Sequence, residues 1–332
     1  MSTDKPLKIS IAMATYNGGK YLQEQLDSFL AQTRLPDELV ITDDCSTDNT
    51  LEIIQAFAVK APFEVRWEQH EKNLGYTDNF NQALMKTTGD LVFLSDQDDV
   101  WFPEKLERME RYALDDPKAL VVMNDAALTD GELNDTGLTK QGQIASAGMT
   151  DSSFVMGCCA VVRRELLNLC LPIPAGFKGH DSWIVGIAEG IERKLVIGEV
   201  LQWYRRHDEN ESQFIVNRVT KVTRLTLIYH NLLRILYSSG YNVEIGTEYI
   251  QINLIYSAVL NSISKTKNQD LRVSLINYSK KLNYRIKLLS ERKKITSQRR
   301  CYRIISIYSL YTLKDSEGIY GLRLALKDLL LR

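Results

Sequence analysis

The chain has 332 residues, which allows one large domain or two of ordinary size, and its hydrophobic share of 44% can fill a sizeable core. No apolar run reaches about 18 residues, so no transmembrane helix is predicted, and the N-terminus lacks the layout of a signal peptide. Five cysteines without a CxxC pair indicate reduced thiols in a cytosolic protein.

Charge is balanced overall but uneven along the chain. The formal net charge is −1, from 41 basic and 42 acidic residues. Residues 216–332 hold 21 of the basic and 7 of the acidic residues, which leaves 20 and 35 for residues 1–215. Such an asymmetry points to a membrane surface or a nucleic acid as the partner of the basic part.

The N-terminal part alternates between two hydrophobic periods. Strand patterns are predicted at residues 7–14, 38–42 and 63–69, and helical patterns at 20–33, 49–60 and 77–86. Asp48 or Thr47 can cap the second helix, and Thr77 can cap the third. This alternation is typical of βα units.

An acidic stretch follows the next predicted strand, residues 91–94. Three carboxylates, Asp96, Asp98 and Asp99, fall within four residues. Their mutual repulsion must be offset, either by solvent in an exposed loop or by a hard divalent cation such as Mg²⁺ or Mn²⁺. Ligands of open α/β sheets bind at the carboxyl ends of strands, so the position favours the cation.

The order of elements then predicts the fold class. A helix opens at Pro103 and a strand follows at residues 119–124, which completes a β-α-β-α-β-α-β-α-β series. We therefore expect an α/β domain with a mostly parallel, Rossmann-like sheet and helices on both faces. The loops that follow the strands should gather along one edge of this sheet.

The rest of the chain divides into three predicted parts. Residues 125–153 are polar and contain glycines, so we expect a long functional loop. Strand patterns at 156–162 and 194–204 flank a helix predicted from His180 to about residue 190. Beyond about residue 215 only helical spacing remains, which predicts an α/β domain at 1–215 and a basic α-helical domain at 216–332.

Several motifs, taken in this order, resemble the inverting glycosyltransferases of family 2, which have the GT-A fold. The resemblance covers roughly residues 7–210. It rests on segments 10–17, 41–50, 73–75, 96–101 (Asp-Gln-Asp-Asp-Val-Trp), 103–106, 157–164, 180–183 (His-Asp-Ser-Trp) and 204–207. Each motif alone is weak, and the ordered set is specific.

The resemblance implies a nucleotide-diphosphate sugar as the donor substrate. The residues implied to bind it are Ala14, Thr15, Tyr16, Asn17, Asp43, Asp44, Asn73, Asp96, Gln97 and Arg205. Those implied to hold Mg²⁺ or Mn²⁺ between the two phosphates are Asp98, Asp96, Asp99 and His207. The alternative for Arg205 and His207 is a pair of solvated charges at a strand end.

The same resemblance implies a catalytic base and an acceptor side. Asp181 matches the family's base, which takes the proton of the attacking hydroxyl, and His180 and Trp183 would contact the acceptor. His180 stands where the family more usually has glutamate, and Ala14 replaces the usual opening proline. Alternatively, Asp181 is a plain helix cap and Trp183 a core residue. Cys158 and Cys159 are predicted to be core residues and not nucleophiles.

Basic residues interleave with apolar ones over 280–303. The pattern suits an anionic membrane surface, and the alternatives are a helical bundle with a solvated basic face or a dimer interface. Nucleic acid is not expected as a partner, because the rest of the chain is acidic.

The resulting hypothesis is a cytoplasmic transferase, peripheral on the inner face of the membrane, that acts in surface polysaccharide synthesis. It would move rhamnose, from dTDP-rhamnose, to a glycan or lipid-linked glycan. A UDP-hexose donor, a nucleotidyltransferase and a non-catalytic membrane-binding scaffold are the alternatives.

Overall fold

The structure is a computed structural model and describes residues 7–208, 210, 214–237 and 241–296. The chain forms two compact units, residues 1–224 and 225–332. The predicted domain boundary at 215/216 stays a prediction. Within the described ranges, no helix combines the length and the apolar composition that crossing a membrane requires.

The described residues of the first unit form one mixed sheet of nine strands. These are β1 (Ile9–Thr15), β2 (Glu38–Asp43), β3 (Glu64–Gln69), β4 (Leu91–Ser95), β5 (Val100–Trp101), β6 (Val121–Thr129), β7 (Asp135–Thr139), β8 (Ala160–Arg163) and β9 (Lys194–Arg205). Their order is β3-β2-β1-β4-β8-β6-β9-β5, and β7 pairs with β6. Strands β3, β2, β1 and β4 are parallel, as is the β6–β9 pair, whereas β8 is antiparallel to both neighbours.

In the described part of this unit, seven α-helices connect the strands. They are α1 (Leu22–Leu30), α2 (Thr50–Lys60), α3 (Tyr76–Lys86), α4 (Lys105–Asp115), α5 (Lys140–Ser146), α6 (Arg164–Cys170) and α7 (His180–Gly190). The predicted α/β fold with a C-terminal helical part is confirmed. Thr77 does not cap α3, because Gly75 takes that position and the Thr77 hydroxyl accepts a hydrogen bond from the Gly179 N–H at 3.0 Å.

The core of this unit lies between the central strands and the helices. Strand β1 is buried on both faces, as expected of a central parallel strand, and Ile9, Ile11 and Met13 are fully buried. Leu26 of α1 and Leu106 of α4 pack into the same cluster. Each fully buried side chain of this size stabilises the fold by about 1.5–3 kcal/mol, so the core holds the strand ends in fixed positions.

The prediction of a long loop at residues 125–153 is wrong. Strand β6 continues to Thr129, and β7 and α5 follow it. The polar composition wrongly predicts a loop, because Asp125 is polar and yet buried in β6. Its Oδ1 accepts hydrogen bonds from the N–H groups of Ala126 and Gln141, both at 2.8 Å. A polar side chain that serves the local backbone breaks the apolar alternation on which strand prediction depends.

The second unit is helical in its described part. It contains α8 (Arg224–Tyr237, which begins at the unit boundary), α9 (Tyr241–Lys265) and α10 (Gln269–Thr296). Helices α9 and α10 pack on each other. The buried leucines of α10 lie on one side, and most of its lysines are exposed. The basic positions Arg299, Arg300 and Arg303, and Cys301, lie outside the described residues.

Candidate active site

A cleft of about 1010 Å³ opens where β1, β2 and β4 end. Of the predicted site residues, those that line it are Ala14, Thr15, Tyr16, Asn17, Asp44, Asn73, Asp96, Gln97, Asp98, His180, Asp181 and His207. The structure therefore brings together loops that are up to 193 residues apart in sequence, from Ala14 to His207. Asp43, Asp99, Trp183 and Arg205 do not line the cleft.

Two contacts tie the loops at one side of the cleft together. The side-chain amide of Gln97 accepts from the Tyr16 N–H at 2.9 Å and donates to the Tyr16 carbonyl at 3.0 Å. Asp44 accepts from the N–H groups of Leu74 and Gly75 at 2.7 and 2.8 Å. These hydrogen bonds fix the spacing within two pairs of loops, those after β1 and β4 and those after β2 and β3, before any ligand is present.

Asp43 is fully buried below this edge. Its carboxylate accepts hydrogen bonds from the Thr15 hydroxyl at 2.8 Å and from the N–H and hydroxyl of Ser46 at 2.8 and 2.5 Å. It therefore holds the ends of β1 and β2 together. Of the two aspartates predicted to contact a nucleobase, the structure places only Asp44 at the cleft.

The acidic stretch after β4 contains half-buried members that line the cleft and one fully buried member. Asp96 and Asp98 face the cleft, whereas Asp99 is fully buried. Burial, followed by the negative charges of Asp98 and Asp181, raises the pKa of Asp96 to about 7. Burial, with the charges of Asp98 and Asp96, also raises the pKa of Asp99 well above its usual value. Negative charge at this place is therefore only partly compensated by the protein.

A buried lysine supplies part of that compensation from below. Lys105 is fully buried, and its ammonium donates to the Cys158 carbonyl at 2.7 Å and to Oε1 of Gln202 at 2.5 Å. The other end of the Gln202 amide donates to Oδ2 of Asp99 at 2.9 Å. Burial lowers the pKa of Lys105 to about 8. Its nitrogen also lies 4.0 Å from the centre of the Trp101 ring.

Arg205 belongs to the wall of the cleft and not to its lining. Its side chain is nearly fully buried, donates to the carbonyls of Asp98 and Gly131 at 2.8 and 2.7 Å, and pairs with Glu24. All these partners are protein groups, so the structure does not place the Arg205 charge where a bound diphosphate could use it. Neither the predicted ligand contact nor the solvated strand end describes its position.

His207 reaches the cleft and meets Asp98. Nε2 of His207 lies 2.8 Å from Oδ2 of Asp98, and the Asn210 amide donates to the same oxygen at 2.9 Å. The His207 ring packs against Tyr21 with 4.8 Å between ring centres. Sequence reasoning missed Asn210, although its spacing of three residues from His207 could have suggested it.

The oxygen atoms of the carboxylates that face the cleft suit a hard divalent cation. Ligand atoms of Asp96, Asp99 and Cys158 lie within 4.8 Å of one another. However, Asp99 is already bonded to Gln202, and burial keeps the pKa of the Cys158 thiol high, so this thiol stays protonated. Asp96 and Asp98 are therefore the oxygen ligands that such an ion could reach, with His207 beside them.

Asp181 lies in the first turn of α7, facing the same cleft. The turn that starts this helix is made by Gly179, whose φ of +92° suits glycine. Oδ1 of Asp181 accepts from the Ser182 N–H at 2.6 Å. Its other oxygen accepts no hydrogen bond from the residues that the structure describes. The arrangement leaves one carboxylate oxygen available to a ligand.

His180 and Trp183 occupy different environments. The His180 ring stacks on Phe80 of α3 with 3.7 Å between centres, and neither ring nitrogen has a hydrogen-bond partner. Burial lowers the pKa of His180 to about 4, which keeps the ring neutral. Trp183 is fully buried, and its Nε1 donates to the Cys170 carbonyl at 2.9 Å. The acceptor contact expected of Trp183 is therefore not what the structure shows, because the ring faces the core.

Cys158 and Cys159 are buried, in agreement with the core position predicted for them. Cys45, Cys158, Cys159 and Cys170 are free thiols, and all except Cys45 are buried.

Comparison with known proteins adds an independent finding. The sequence model of the family described as "Glycosyl transferase family 2" matches residues 10–170. This range contains the loops after β1, β2 and β4 and ends with α6.

Curated relatives carry related names. An uncharacterized glycosyltransferase of Nostoc sp. is 31% identical over 218 residues, which covers 61% of this chain and 66% of that protein. A dTDP-rhamnosyl transferase, RfbG, of Shigella flexneri is 24% identical over 254 residues, which covers 67% of this chain and 81% of that protein. The chain spans about three fifths to two thirds of the length of the first relatives it matches.

Solved structures share the fold. The crystal structure of residues 1–349 of TarS from S. aureus superposes with a TM-score of 0.55 at 18% identity, covering 84% of this chain and 91% of that one. A complex of the same TarS fragment with UDP-GlcNAc gives a TM-score of 0.51.

Proposed function

We propose that this chain, which belongs to glycosyl transferase family 2, transfers a sugar from a nucleotide-diphosphate donor to a hydroxyl group of a glycan or lipid-linked glycan, with inversion. The observation that carries the proposal is the single cleft that holds Asp96, Asp98 and Asp181. We call residues 14–17, 44, 73–75 and 97 its donor end. Residues 140, 180, 181, 204 and 217 form its acceptor end.

Inversion is one displacement at the anomeric carbon of the donor sugar. The acceptor oxygen attacks from one face while the bond to the diphosphate breaks on the other. In this proposal Asp181 takes the proton of the attacking hydroxyl through its free carboxylate oxygen. Its fixed place in the first turn of α7 would orient that oxygen towards the acceptor.

Two carboxylates of the cleft would hold a divalent cation for the diphosphate. Asp96 and Asp98 would bind Mg²⁺ or Mn²⁺, and the ion would neutralise the charge that develops on the leaving diphosphate. His207 and Asn210 already position Asp98, so they would steady it during exchange of ligands. Tyr16, Asn17, Asp44 and Asn73 would contact the nucleoside, because they line the donor end.

A nucleotidyltransferase is disfavoured by the loop that follows β1. Such enzymes need free backbone N–H groups to cradle phosphates. Here the N–H groups of Tyr16, Asn17, Gly18 and Gly19 all donate to protein side chains, at 2.8–2.9 Å. A non-catalytic scaffold would have no need to hold the three carboxylates in one cleft.

The donor sugar is proposed to be rhamnose, carried by dTDP. The named function of the Shigella flexneri relative supports this choice. A UDP-hexose is the second candidate. Release of free nucleoside diphosphate from a panel of dTDP-, UDP- and GDP-sugars, with and without EDTA, would decide between them.

The expected result of that panel is release of dTDP from dTDP-rhamnose that stops when EDTA removes the cation. Release of sugar 1-phosphate in place of the nucleoside diphosphate would support nucleotidyl transfer, and no release from any donor would contradict the proposed function.

The exposed lysines of α10 suggest where the enzyme works. We propose that they hold the protein on the inner, anionic face of the cell membrane, where lipid-linked acceptors would be found. Co-sedimentation with vesicles containing phosphatidylglycerol, and not with neutral phosphatidylcholine vesicles, is expected. Equal sedimentation with both would contradict this, and a concentration-dependent dimer without vesicle binding would favour a homodimer interface.

A further inference from the structure

A buried lysine at the acceptor end has no carboxylate partner among the residues that the structure describes. Lys140 begins α5 and lines the cleft, yet its residue surface is only 2% exposed. Its ammonium donates to Oδ1 of Asn217 and lies 5.4 Å from the centre of the Phe214 ring. An ammonium has three hydrogens to donate, so this single amide leaves most of its capacity unused.

Strand pairing and hydrogen bonds hold the backbone at Lys140 in place. Strands β7 and β9 flank the end of β6, where Ala127 pairs with Thr139 on one side and Trp203 on the other. The Thr139 hydroxyl accepts from the Gly142 N–H at 3.1 Å. Together with the bond from the Gln141 N–H to Asp125, this fixes the start of α5. The position of Lys140 is therefore set by the backbone.

A hydroxyl group, that of Tyr204, lies on β9, and a second cation, Arg206, directly follows this strand. Tyr204 of β9 lines the cleft, and its phenol oxygen accepts a hydrogen bond from the Arg206 guanidinium at 3.2 Å. Burial raises the pKa of Tyr204 well above its usual value, so the phenol keeps its proton. Among the described residues nothing accepts that proton, which leaves it for a ligand.

Burying a cation without an anion is costly. Burial lowers the pKa of Lys140 to about 8, and the charge of Arg206 acts in the same direction, while Asp181 opposes both. At neutral pH the ammonium form still predominates. The acceptor end thus contains a buried positive charge, that of Lys140, in the same cleft as the residue proposed to accept the proton.

We propose that Lys140, with Tyr204 and Asn217, binds an anionic group, a phosphate or a carboxylate, on the acceptor substrate. This rests on the proposed function, because it assigns the chemical class of that function's acceptor. The donor's diphosphate is a poorer candidate, since the donor end is built from the loops after β1, β2, β3 and β4, whereas Lys140 and Tyr204 come from the β6–β9 half of the sheet.

Binding of small probes to the full chain tests the proposal. Glucose 1-phosphate, glucuronate and neutral glucose are titrated by ligand-observed NMR, with dTDP or UDP and Mg²⁺ occupying the donor end. Wild type should bind both anionic probes at least tenfold more tightly than glucose. Lys140→Met should remove that preference, Lys140→Arg should retain it within about threefold, and Lys60→Met, on an exposed helix end, should change nothing.

The two anionic probes separate phosphate from carboxylate as the preferred group. Tyr204→Phe, which keeps the ring, should weaken anion binding severalfold and serves if Lys140→Met fails to fold. Equal binding of the anions by wild type and Lys140→Met would overturn the proposal, as would loss of nucleotide affinity in Lys140→Met equal to its loss of anion affinity. Failure of any nucleotide to bind wild type would count against the proposed function alone, since the anion preference is measurable without nucleotide.

Discussion

In the loop after β1, which contributes to the donor end, the N–H groups of residues 16–19 all donate to side chains of the protein. At the acceptor end, by contrast, both ring nitrogens of His180 and most of the Lys140 ammonium have no partner among the residues that the structure describes. The donor end is a closed network that keeps its shape without a ligand. The acceptor end instead contains buried polar groups that a ligand would satisfy. Recognition of the nucleotide should therefore depend on preformed shape, and recognition of the acceptor on supplying missing partners.

The largest effect is expected at the acceptor end, from Asp181→Asn. The substitution keeps the side chain's size and removes its ability to take a proton, so turnover should fall by about 10²–10⁴-fold. Nucleotide affinity should stay unchanged, because Asp181 is not part of the donor end. Nucleoside diphosphate release and nucleotide titration measure the two quantities. Asp151→Asn, at an exposed turn of the same unit, is the control, and turnover of Asp181→Asn within tenfold of wild type would show that the base lies elsewhere.

The next largest effect is expected from substitution of Lys105, which lies buried beneath the acidic stretch. Lys105→Met leaves the Cys158 carbonyl, Gln202 and the neighbouring carboxylates without their buried cation. The free energy of unfolding should fall by about 3 kcal/mol, measured by urea denaturation. The exposed Lys60→Met should lose less than about 0.5 kcal/mol. Equal stability of the two variants would mean that the carboxylates are protonated and need no cation.

His180 offers a test through pH. Its pKa is lowered from 6.5 to about 4 in the folded chain, so between these values the unfolded chain binds a proton that the folded chain does not. The free energy of unfolding should therefore fall as pH drops from 6.5 towards 4, by at most about 3 kcal/mol, and His180 should contribute nothing above that window.

The measurement compares wild type with His180→Phe by urea denaturation at several pH values. The variant should lose less stability on acidification than wild type, and His230→Phe on α8 serves as the control. Parallel pH profiles for wild type and His180→Phe would show that the imidazole has a partner in solution.

The smallest effect is expected at the donor end. Gln97→Ala removes both hydrogen bonds to Tyr16 and should lower the free energy of unfolding by about 1–2 kcal/mol, with a weaker nucleotide affinity because the loops separate. Gln23→Ala, which removes one exposed hydrogen bond to Asp27, is the matched control. A nucleotide affinity that is unchanged in Gln97→Ala would indicate that ligand binding itself organises these loops.

Much of the fold was predictable because local periodicity agreed with tertiary structure. Helix α7 starts at His180 as predicted, and the strands from β1 to β4 lie within two residues of their predicted bounds. Periodicity failed at residues 125–153, where a buried, hydrogen-bonded aspartate breaks the apolar pattern of β6 although the strand itself continues. Lys140 lies in that stretch, so no sequence pattern could mark it as a buried cation.

The site was predictable only to the level of the segment. Motif order identified the loops that meet at the cleft, but not which side of the backbone each side chain takes. Asp44 and Asp98 line the cleft, whereas their neighbours Asp43 and Asp99 are fully buried and do not. The motif positions of Arg205 and Trp183 predict ligand contacts, whereas the burial of both side chains depends on the tertiary fold.

The thiols described above allow a label to be placed selectively. Cys158, Cys159 and Cys170 are sealed in the interior, and burial raises the pKa of Cys170 to about 12, so alkylating reagents should leave them intact. Cys45 is partly accessible and directly follows Asp44. Once Cys301 is replaced, the fluorescence of a maleimide dye attached to Cys45 would change when a nucleotide binds, so binding could be followed without a radioactive substrate.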